Sequence, residues 1–218
     1  KIVRDNHLGD WGTQFGKLIV AITQWMEKTG KSVDVMTLPL LMQLYVQFHK
    51  DMENDPTLEV AARLETKKLQ DGDKYNRALW KRFIELSMKD FQIVYDRLGT
   101  RFDTMYGESF YNDMLAGVVD EAKKKGVAVL SEGAIIIPFD NQPPAIIQKS
   151  DGASNYATTD LATIKYRAKT YKPFRVLYCV ANEQALHFSQ VFAAAKKLDY
   201  TNTGELVHVK FGMALGAD

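Results

Sequence analysis

The sequence predicts an α/β protein in which a parallel sheet is split by a largely helical insertion. Apolar strands and amphipathic helices alternate over residues 146–218, as is typical of parallel strands joined by helical crossovers. Residues 39–98 have an almost purely helical pattern. Residues 1–30 have the pattern of a strand, a polar turn and a helix, which fits the same sheet. We therefore predict sheet segments at both ends of the chain, with the insertion between them.

The opening segment is predicted to begin with the end of a strand, Lys-Ile-Val at residues 1–3. A polar turn with three glycines follows, "RDNHLGDWGTQFG" at residues 4–16. Helical spacing of the next apolar residues then predicts a helix that ends at Gly30, because glycine is favoured just past a helix C-terminus.

Three helices are predicted next, separated by Asp55-Pro56 and by an Asp-Gly-Asp turn at residues 71–73. In the third helix six apolar or aromatic residues are expected in the core: Trp80, Phe83, Ile84, Phe91, Val94 and Tyr95. The elements expected after it are a short strand at 101–106, a helix at 111–126, a hairpin turning at 131–133 and the strand "PAIIQKS".

The last part of the chain alternates between helices at 157–170 and 183–198 and strands at 174–180 and 206–211. These patterns predict three regions. Residues 1–30 form the first sheet segment, residues 31–145 a mainly helical insertion with a small hairpin, and residues 146–218 the second sheet segment.

The composition sets limits on partners and compartment. The net charge is +1, from 28 basic and 27 acidic residues, which argues against a stand-alone nucleic-acid binder. The single cysteine, Cys179, lies in an apolar run and is expected to be a buried strand residue. One cysteine allows no intrachain disulfide, so a reducing, cytoplasmic location is predicted. Because no apolar stretch approaches the ~20 residues of a membrane span, no membrane partner is expected.

Three polar clusters follow predicted strands or begin predicted helices: residues 5–12, 149–167 and 181–190. Open parallel sheets bind ligands outside the carboxyl ends of their strands. We therefore expect these clusters to gather at that edge.

Tyr156 and Asp160 of the second cluster are four residues apart, so a helix starting near Tyr156 places both on one face. A phenol beside a carboxylate suits a planar guanidinium, since the carboxylate accepts two parallel hydrogen bonds. Alternatively, Thr158, Thr159 and Asp160 cap the helix and complement its dipole.

In the third cluster, Glu183, Gln184 and His187 begin a helix directly after a buried strand. Glu183 is a candidate for binding a ribose and Gln184 for binding a polar substrate group, although helix starts also attract such residues for capping. The sequence contains no P-loop, GxGxxG or GxSxG motif, and no histidine pair has metal-ligand spacing. An enzyme built this way would work by positioning and electrostatics, without a nucleophilic catalytic residue or a protein-bound metal.

The chain resembles arginyl-tRNA synthetase, a class I aminoacyl-tRNA ligase with a Rossmann-type catalytic domain, in four segments that occur in order: "RDNHLGDWGTQFG", "KSDGASNYATTDLATIKYR", "ANEQALHFSQVF" and "VHVKFGMALG". Parts of the helical insertion, such as "LWKRFIELSMKDFQIVYDRLG", are similar to the same family. The resemblance implies that the protein activates L-arginine with ATP, forming arginyl adenylate, and transfers it to tRNA(Arg). It also implies Mg²⁺ that accompanies ATP without protein ligands.

The resemblance also implies roles for single residues. The asparagine of the NHLGDWG turn, the tyrosine and aspartate of Y-x-T-x-D-L-A and the strand-end glutamine bind arginine in the family, which points to Asn6, Tyr156, Asp160 and Gln184. A lysine substrate could not fill the geometry that a guanidinium needs. Contacts to ATP are expected from Gly9, His187, Phe211, Gly212 and Met213.

Two family motifs are absent from the sequence. No two of the four histidines have H-x-G-H spacing, and "SMKD" at 87–90 lies in the helical insertion rather than in a K-M-S-K-like loop. We expect the first motif upstream of Lys1 and the second after Asp218, and we expect the chain alone to be inactive. The alternative is a non-catalytic module or paralogue that binds arginine or a partner.

Overall fold

The computed structural model describes residues 1–201 and 204–212, and it has a mixed α/β architecture with two compact units, residues 1–109 and 110–218. The helices are α1 (Thr13–Thr29), α2 (Leu38–Asn54), α3 (Thr57–Asp71), α4 (Lys74–Leu98), α5 (Glu108–Tyr111), α6 (Leu115–Lys124), α7 (Tyr156–Tyr171) and α8 (Ala185–Lys197). The strands are β1 (Val129–Ser131), β2 (Ala134–Ile137), β3 (Ala145–Gln148), β4 (Arg175–Ala181) and β5 (Glu205–Phe211). The predicted region boundaries at 30 and 145 stay predictions, since compactness divides the chain between Ser109 and Phe110.

The first unit is a helical bundle in which α1 packs against α2, α3 and α4. Its main core is a cluster of apolar side chains from all four helices and the loop after α1: Phe15, Ile19, Ile22, Met36, Leu41, Leu69, Leu79 and Phe83. Gly30 closes α1 in the left-handed conformation, with φ 67°, as predicted.

Helices α1 and α3 approach each other closely at Gly16. A Cβ atom built on Gly16 would lie 2.1 Å from the Ala62 carbonyl oxygen and 2.1 Å from the Thr66 hydroxyl oxygen. Glycine is therefore required here for packing rather than for an unusual backbone conformation.

The predicted strands at 1–3 and 101–106 are wrong. Residues 1–3 have no strand conformation, and Thr104 of the second segment forms only an isolated bridge, with Asp5 in the polar turn. A strand needs a partner along its length, and here a few backbone hydrogen bonds, such as Asn6 N–H to the Thr104 carbonyl and Asp103 N–H to the Arg4 carbonyl, stand in place of a continuous ladder.

Helix α4 contributes to the bundle core mainly through its first half. Phe83 is buried and Trp80 and Ile84 lie against the core, as predicted, but Phe91 is 42% exposed and Val94 is 53% exposed. Their assignment to the core was therefore wrong, since the core side chains that α4 supplies, Leu79 and Phe83, lie in its first half.

The second unit contains a three-stranded antiparallel sheet in the order β1-β2-β3. The hairpin between β1 and β2 turns at Glu132 and Gly133, both at positive φ, so this prediction is confirmed. Helix α7 packs against β3, α6 and α8, and its first half is almost entirely buried.

Strands β4 and β5 pair in parallel over their whole length, from Arg175 opposite Glu205 to Ala181 opposite Phe211. Helix α8 connects them and packs on β5, which confirms parallel pairing of the last two predicted strands. The opposite face of the pair is open: Leu177 is 56% exposed, and Cys179 is exposed as well. The expectation of a buried Cys179 was wrong, because that face has no covering layer in the described part of the chain. No helix within that part is long and apolar enough to cross a membrane.

Candidate functional site

The start of α7 carries the most distinctive group of side chains. Asn155, in an extended conformation, caps the helix, and its Oδ1 accepts a hydrogen bond from the Tyr156 N–H at 2.9 Å. The Thr158 hydroxyl donates to the Ile147 carbonyl of β3, which fixes the helix to the sheet. Asp160 therefore lies in the second turn and does not cap the helix, so the capping alternative is wrong for this residue. The N-cap preference of asparagine was the signal that could have identified Asn155 in the sequence.

Tyr156, Asp160 and His187 come together at this point, although α7 and α8 supply them separately. The His187 Nε2 atom lies 2.6 Å from Oδ2 of Asp160. The ring centroids of His187 and Tyr156 are 5.0 Å apart at 64°. Tyr156 is 63% exposed, whereas the Asp160 side chain is only 15% exposed. The result is a half-buried carboxylate beside an open aromatic ring, a combination that suits a planar cation.

Gln184 lies on the approach to α8, in a short 3₁₀ turn, Asn182–Gln184, that follows the carboxyl end of β4. Both Glu183 and Gln184 are exposed to solvent there. Their location agrees with the expectation that polar groups follow the carboxyl ends of parallel strands.

Asn6 belongs to the first unit, where the polar turn is bound to later residues of that unit. The Asn6 N–H donates to the Thr104 carbonyl at 2.9 Å, and its Nδ2 donates to the Tyr95 hydroxyl at 2.9 Å. These contacts hold the amide group in one orientation. Tyr95 and Thr104 were not identified from the sequence as partners of Asn6, because residues about a hundred positions apart give no local sequence signal of their contact.

Asp10 anchors the same turn. Its Oδ1 accepts from the Ser109 N–H at 2.8 Å and its Oδ2 accepts from the Ser109 hydroxyl at 2.6 Å. The Trp80 indole N–H donates to the Asp10 carbonyl at 2.7 Å. The unusual density of polar residues in the turn thus has a structural use, in addition to the role expected of Asn6.

Two glycines in the turn differ in their surroundings. Gly12 has φ 127°, which other residues rarely adopt. Gly9 is exposed, and no heavy atom lies within 4 Å of a Cβ built on it, so its backbone is open to a ligand.

The other residues expected to contact ATP lie at the end of β5. Phe211 is 55% exposed and Gly212 follows it in an open position, whereas Met213 lies outside the described residues. On the same strand the His208 Nε2 lies 2.9 Å from the Val180 carbonyl of β4, to which it donates. His208 therefore joins the two strands.

Acidic and metal-ligating residues do not converge in residues 1–201 and 204–212. No group of three or more His, Cys, Asp or Glu residues there has a geometry that could hold a metal ion.

Comparison with known proteins gives one consistent family. A family profile described as "tRNA synthetases class I (R), catalytic domain" matches residues 1–218. An arginine–tRNA ligase of Clostridium botulinum is 48% identical over 219 residues, which cover 100% of this chain and 38% of that protein. An arginine–tRNA ligase of Exiguobacterium sibiricum is 47% identical and is covered to 38% of its length. The chain thus spans well under half the length of these curated relatives.

Solved structures agree with this family. The crystal structure of an arginyl-tRNA synthetase from Plasmodium falciparum matches with a TM-score of 0.80 and 33% identity, over 98% of this chain and 36% of that one. The arginyl-tRNA synthetase of Thermus thermophilus has the same fold over 96% of this chain and 42% of its own, with a TM-score of 0.68 at 16% identity.

Proposed function

Because this chain belongs to the arginyl-tRNA synthetase family of class I catalytic domains, we propose that it is part of a longer arginine–tRNA ligase. The intact enzyme activates L-arginine with ATP, releasing pyrophosphate and forming arginyl adenylate. It then transfers the arginyl group to the 3′ end of tRNA(Arg). Neither step requires a nucleophilic side chain, because the carboxylate of arginine and the tRNA hydroxyl are themselves the attacking groups.

One observation carries the proposal, the half-buried Asp160 carboxylate beside the exposed ring of Tyr156. A guanidinium offers two parallel N–H donors to such a carboxylate, and its plane can contact the aromatic ring. A lysine ammonium is a compact charge that cannot match this geometry. The site therefore selects arginine by shape and by hydrogen bonding as well as by charge.

The remaining arginine contacts come from Asn6 and Gln184. The Asn6 amide nitrogen donates to the Tyr95 hydroxyl, so the amide oxygen is available to accept a hydrogen bond from the α-ammonium of arginine. The exposed Gln184 side chain offers both a donor and an acceptor. We assign both residues to recognition of the part of arginine that lies beyond its guanidinium.

ATP binds, in this proposal, near the open backbone at Gly9 and the end of β5 at Phe211 and Gly212. We propose that Mg²⁺ accompanies the ATP phosphates without protein ligands, as the family resemblance implies. We place the enzyme in the cytoplasm, on the basis of its single cysteine and its role in protein synthesis.

We also propose that β4 and β5 belong to a larger Rossmann-type sheet that the helical bundle interrupts in sequence. The parallel pairing of β4 and β5 and the helical crossover α8 between them support this assignment. Parallel sheets are normally covered on both faces, whereas Leu177 and Phe211 are more than half exposed. The missing neighbours would be supplied by the rest of the longer protein.

The proposal is tested by amino-acid-dependent ATP–pyrophosphate exchange. In the full-length protein, exchange should depend on arginine and be undetectable with lysine at the same concentration. The 218-residue chain expressed alone should give no exchange, since its sequence lacks the H-x-G-H motif. Lysine-dependent exchange, or no exchange by the full-length protein with any amino acid even when tRNA(Arg) is added, would refute the proposed activity.

A further inference from the structure

We infer that His187 is a positioning residue that fixes the Asp160 carboxylate for the guanidinium of arginine. This inference rests on the proposed function and adds a residue to the arginine side of the site. The resemblance to the family had suggested His187 as an ATP contact, but its contacts in the structure are with Asp160 and Tyr156.

The bond between His187 and Asp160 is short and sheltered. Nε2 and Oδ2 are 2.6 Å apart, and the two side chains are only 13% and 15% exposed. A charge-assisted hydrogen bond gains strength when water is largely excluded. The contact also joins residues 27 positions apart on different helices, so it is no by-product of helical spacing.

The imidazole ring is itself held on two sides. Tyr156 contacts it at 5.0 Å between centroids, and Phe188 contacts it at 5.2 Å, both edge-on. Phe188 is only 6% exposed and packs against His208 of β5 at 4.7 Å. Since Phe188 is fixed in the core, the imidazole ring of His187 that contacts it has a restricted orientation.

The carboxylate keeps most of its accepting capacity. It has about four lone-pair sites, and the imidazole uses one of them on Oδ2. Oδ1 has no contact with the imidazole, whose Nε2 atom lies against Oδ2. The remaining sites on both oxygens can then accept the two N–H groups of a guanidinium. His187 thus fixes the plane of the carboxylate without occupying the place of the substrate.

Asparagine and glutamine provide a matched pair of variants. The amide nitrogen of Gln extends about as far as Nε2 of histidine, whereas that of Asn stops near the position of Nδ1. His187→Gln should therefore keep the bond to Asp160, and His187→Asn should lose it, with the same chemical group introduced in both. Ser189→Ala on α8 is the control, since its hydroxyl bonds to Gln142 rather than to Asp160.

The variants should be compared in the full-length protein by KM for arginine, KM for ATP and thermal midpoint. We expect His187→Asn to raise KM for arginine by about tenfold or more, as is common when a supporting hydrogen bond is removed from a ligand-binding residue. KM for ATP should change less than threefold or so. His187→Gln should raise KM for arginine less than His187→Asn does, and Ser189→Ala, the control, should stay close to the wild type.

Three results would overturn the inference. An unchanged KM for arginine in His187→Asn would remove the positioning role. Equal KM values in the Gln and Asn variants, together with equal losses in thermal midpoint, would make the contact purely structural. A rise in KM for ATP alone would return His187 to the nucleotide side. Failure of the wild-type protein to use arginine at all would instead refute the proposed function.

Discussion

Among single residues, Glu121 is a partly buried carboxylate that three hydrogen bonds stabilise in the second unit. Its carboxylate on α6 accepts hydrogen bonds from Lys165 at 2.5 Å, Lys125 at 2.9 Å and Tyr200 at 2.8 Å. Burial disfavours its ionised form, but the hydrogen bonds from Lys165, Lys125 and Tyr200 outweigh this effect and lower its pKa from 4.5 to about 2. Burial and the same hydrogen bond raise the pKa of Tyr200. The network joins α6, α7 and the segment that follows α8.

The lowered pKa of Glu121 predicts a pH dependence of stability. A group with a depressed folded pKa stabilises the fold above its unfolded value and loses that effect as pH falls toward the folded value. Between pH 4.5 and about 2 the wild type should lose this stabilisation as Glu121 is protonated, whereas Glu121→Gln has no carboxylate at this position and should not. Urea unfolding at pH 7 and pH 3 would measure this. We expect the free energy of unfolding to fall between these pH values by about 1 kcal/mol more in the wild type than in Glu121→Gln, a value that allows for solvent screening. Parallel pH curves for the two proteins would contradict this account.

The cap of α7 shows what the sequence could predict at a single residue. Asparagine before a helical pattern is a strong N-cap signal, so the cap at Asn155 could be predicted from the sequence. The hydrogen bond between Asp160 and His187 could not be predicted, because it depends on the packing of α7 against α8. The i, i+4 spacing of Tyr156 and Asp160 did predict their shared face, because helical geometry alone determines it.

At the scale of elements, the bounds of most helices were predictable and those of the edge strands were not. Helices α1 to α4 carry apolar periodicity. Three of them end at glycines, Gly30, Gly72 and Gly99, and α2 ends at Asp55, directly before Pro56. Strand pairing depends on a partner elsewhere in the chain. That is why residues 1–3, with a strand-like composition, form no strand in the structure.

The close packing of α1 on α3 gives a prediction about helix stability. Gly16→Ala would normally favour a helix by about 1 kcal/mol, but here the added methyl group overlaps the backbone of α3. We expect the free energy of unfolding to fall by about 1–3 kcal/mol, as for other overpacked sites. Chemical denaturation monitored by circular dichroism would measure it.

Gly117 on α6 is the matched control for Gly16. It is exposed, and a Cβ built on it meets no heavy atom within 4 Å. Gly117→Ala should therefore raise stability by about 0.5–1 kcal/mol. If Gly16→Ala were as stable as Gly117→Ala, the close approach of α1 and α3 would be incorrect.

For the whole molecule, we propose that further segments of a longer protein cover the open face of β4 and β5. Cys179 lies on this face, opposite Val209 in the parallel register. Its thiol should react readily with an aromatic disulfide reagent in the 218-residue chain. In the full-length protein we expect reaction to be at least tenfold or so slower, because parallel sheets are covered on both faces. Equal reaction rates would argue against a larger sheet.

Direct binding of arginine to the full-length protein tests whether Asp160 recognises arginine. Asp160→Ala should weaken arginine binding by about 2–5 kcal/mol in isothermal titration, since a partly buried charge-assisted pair is lost. ATP affinity should stay within about a factor of three, and Asp120→Ala, which removes an exposed carboxylate from α6, should bind arginine like the wild type. Equal arginine affinity in the wild type and Asp160→Ala would contradict the account.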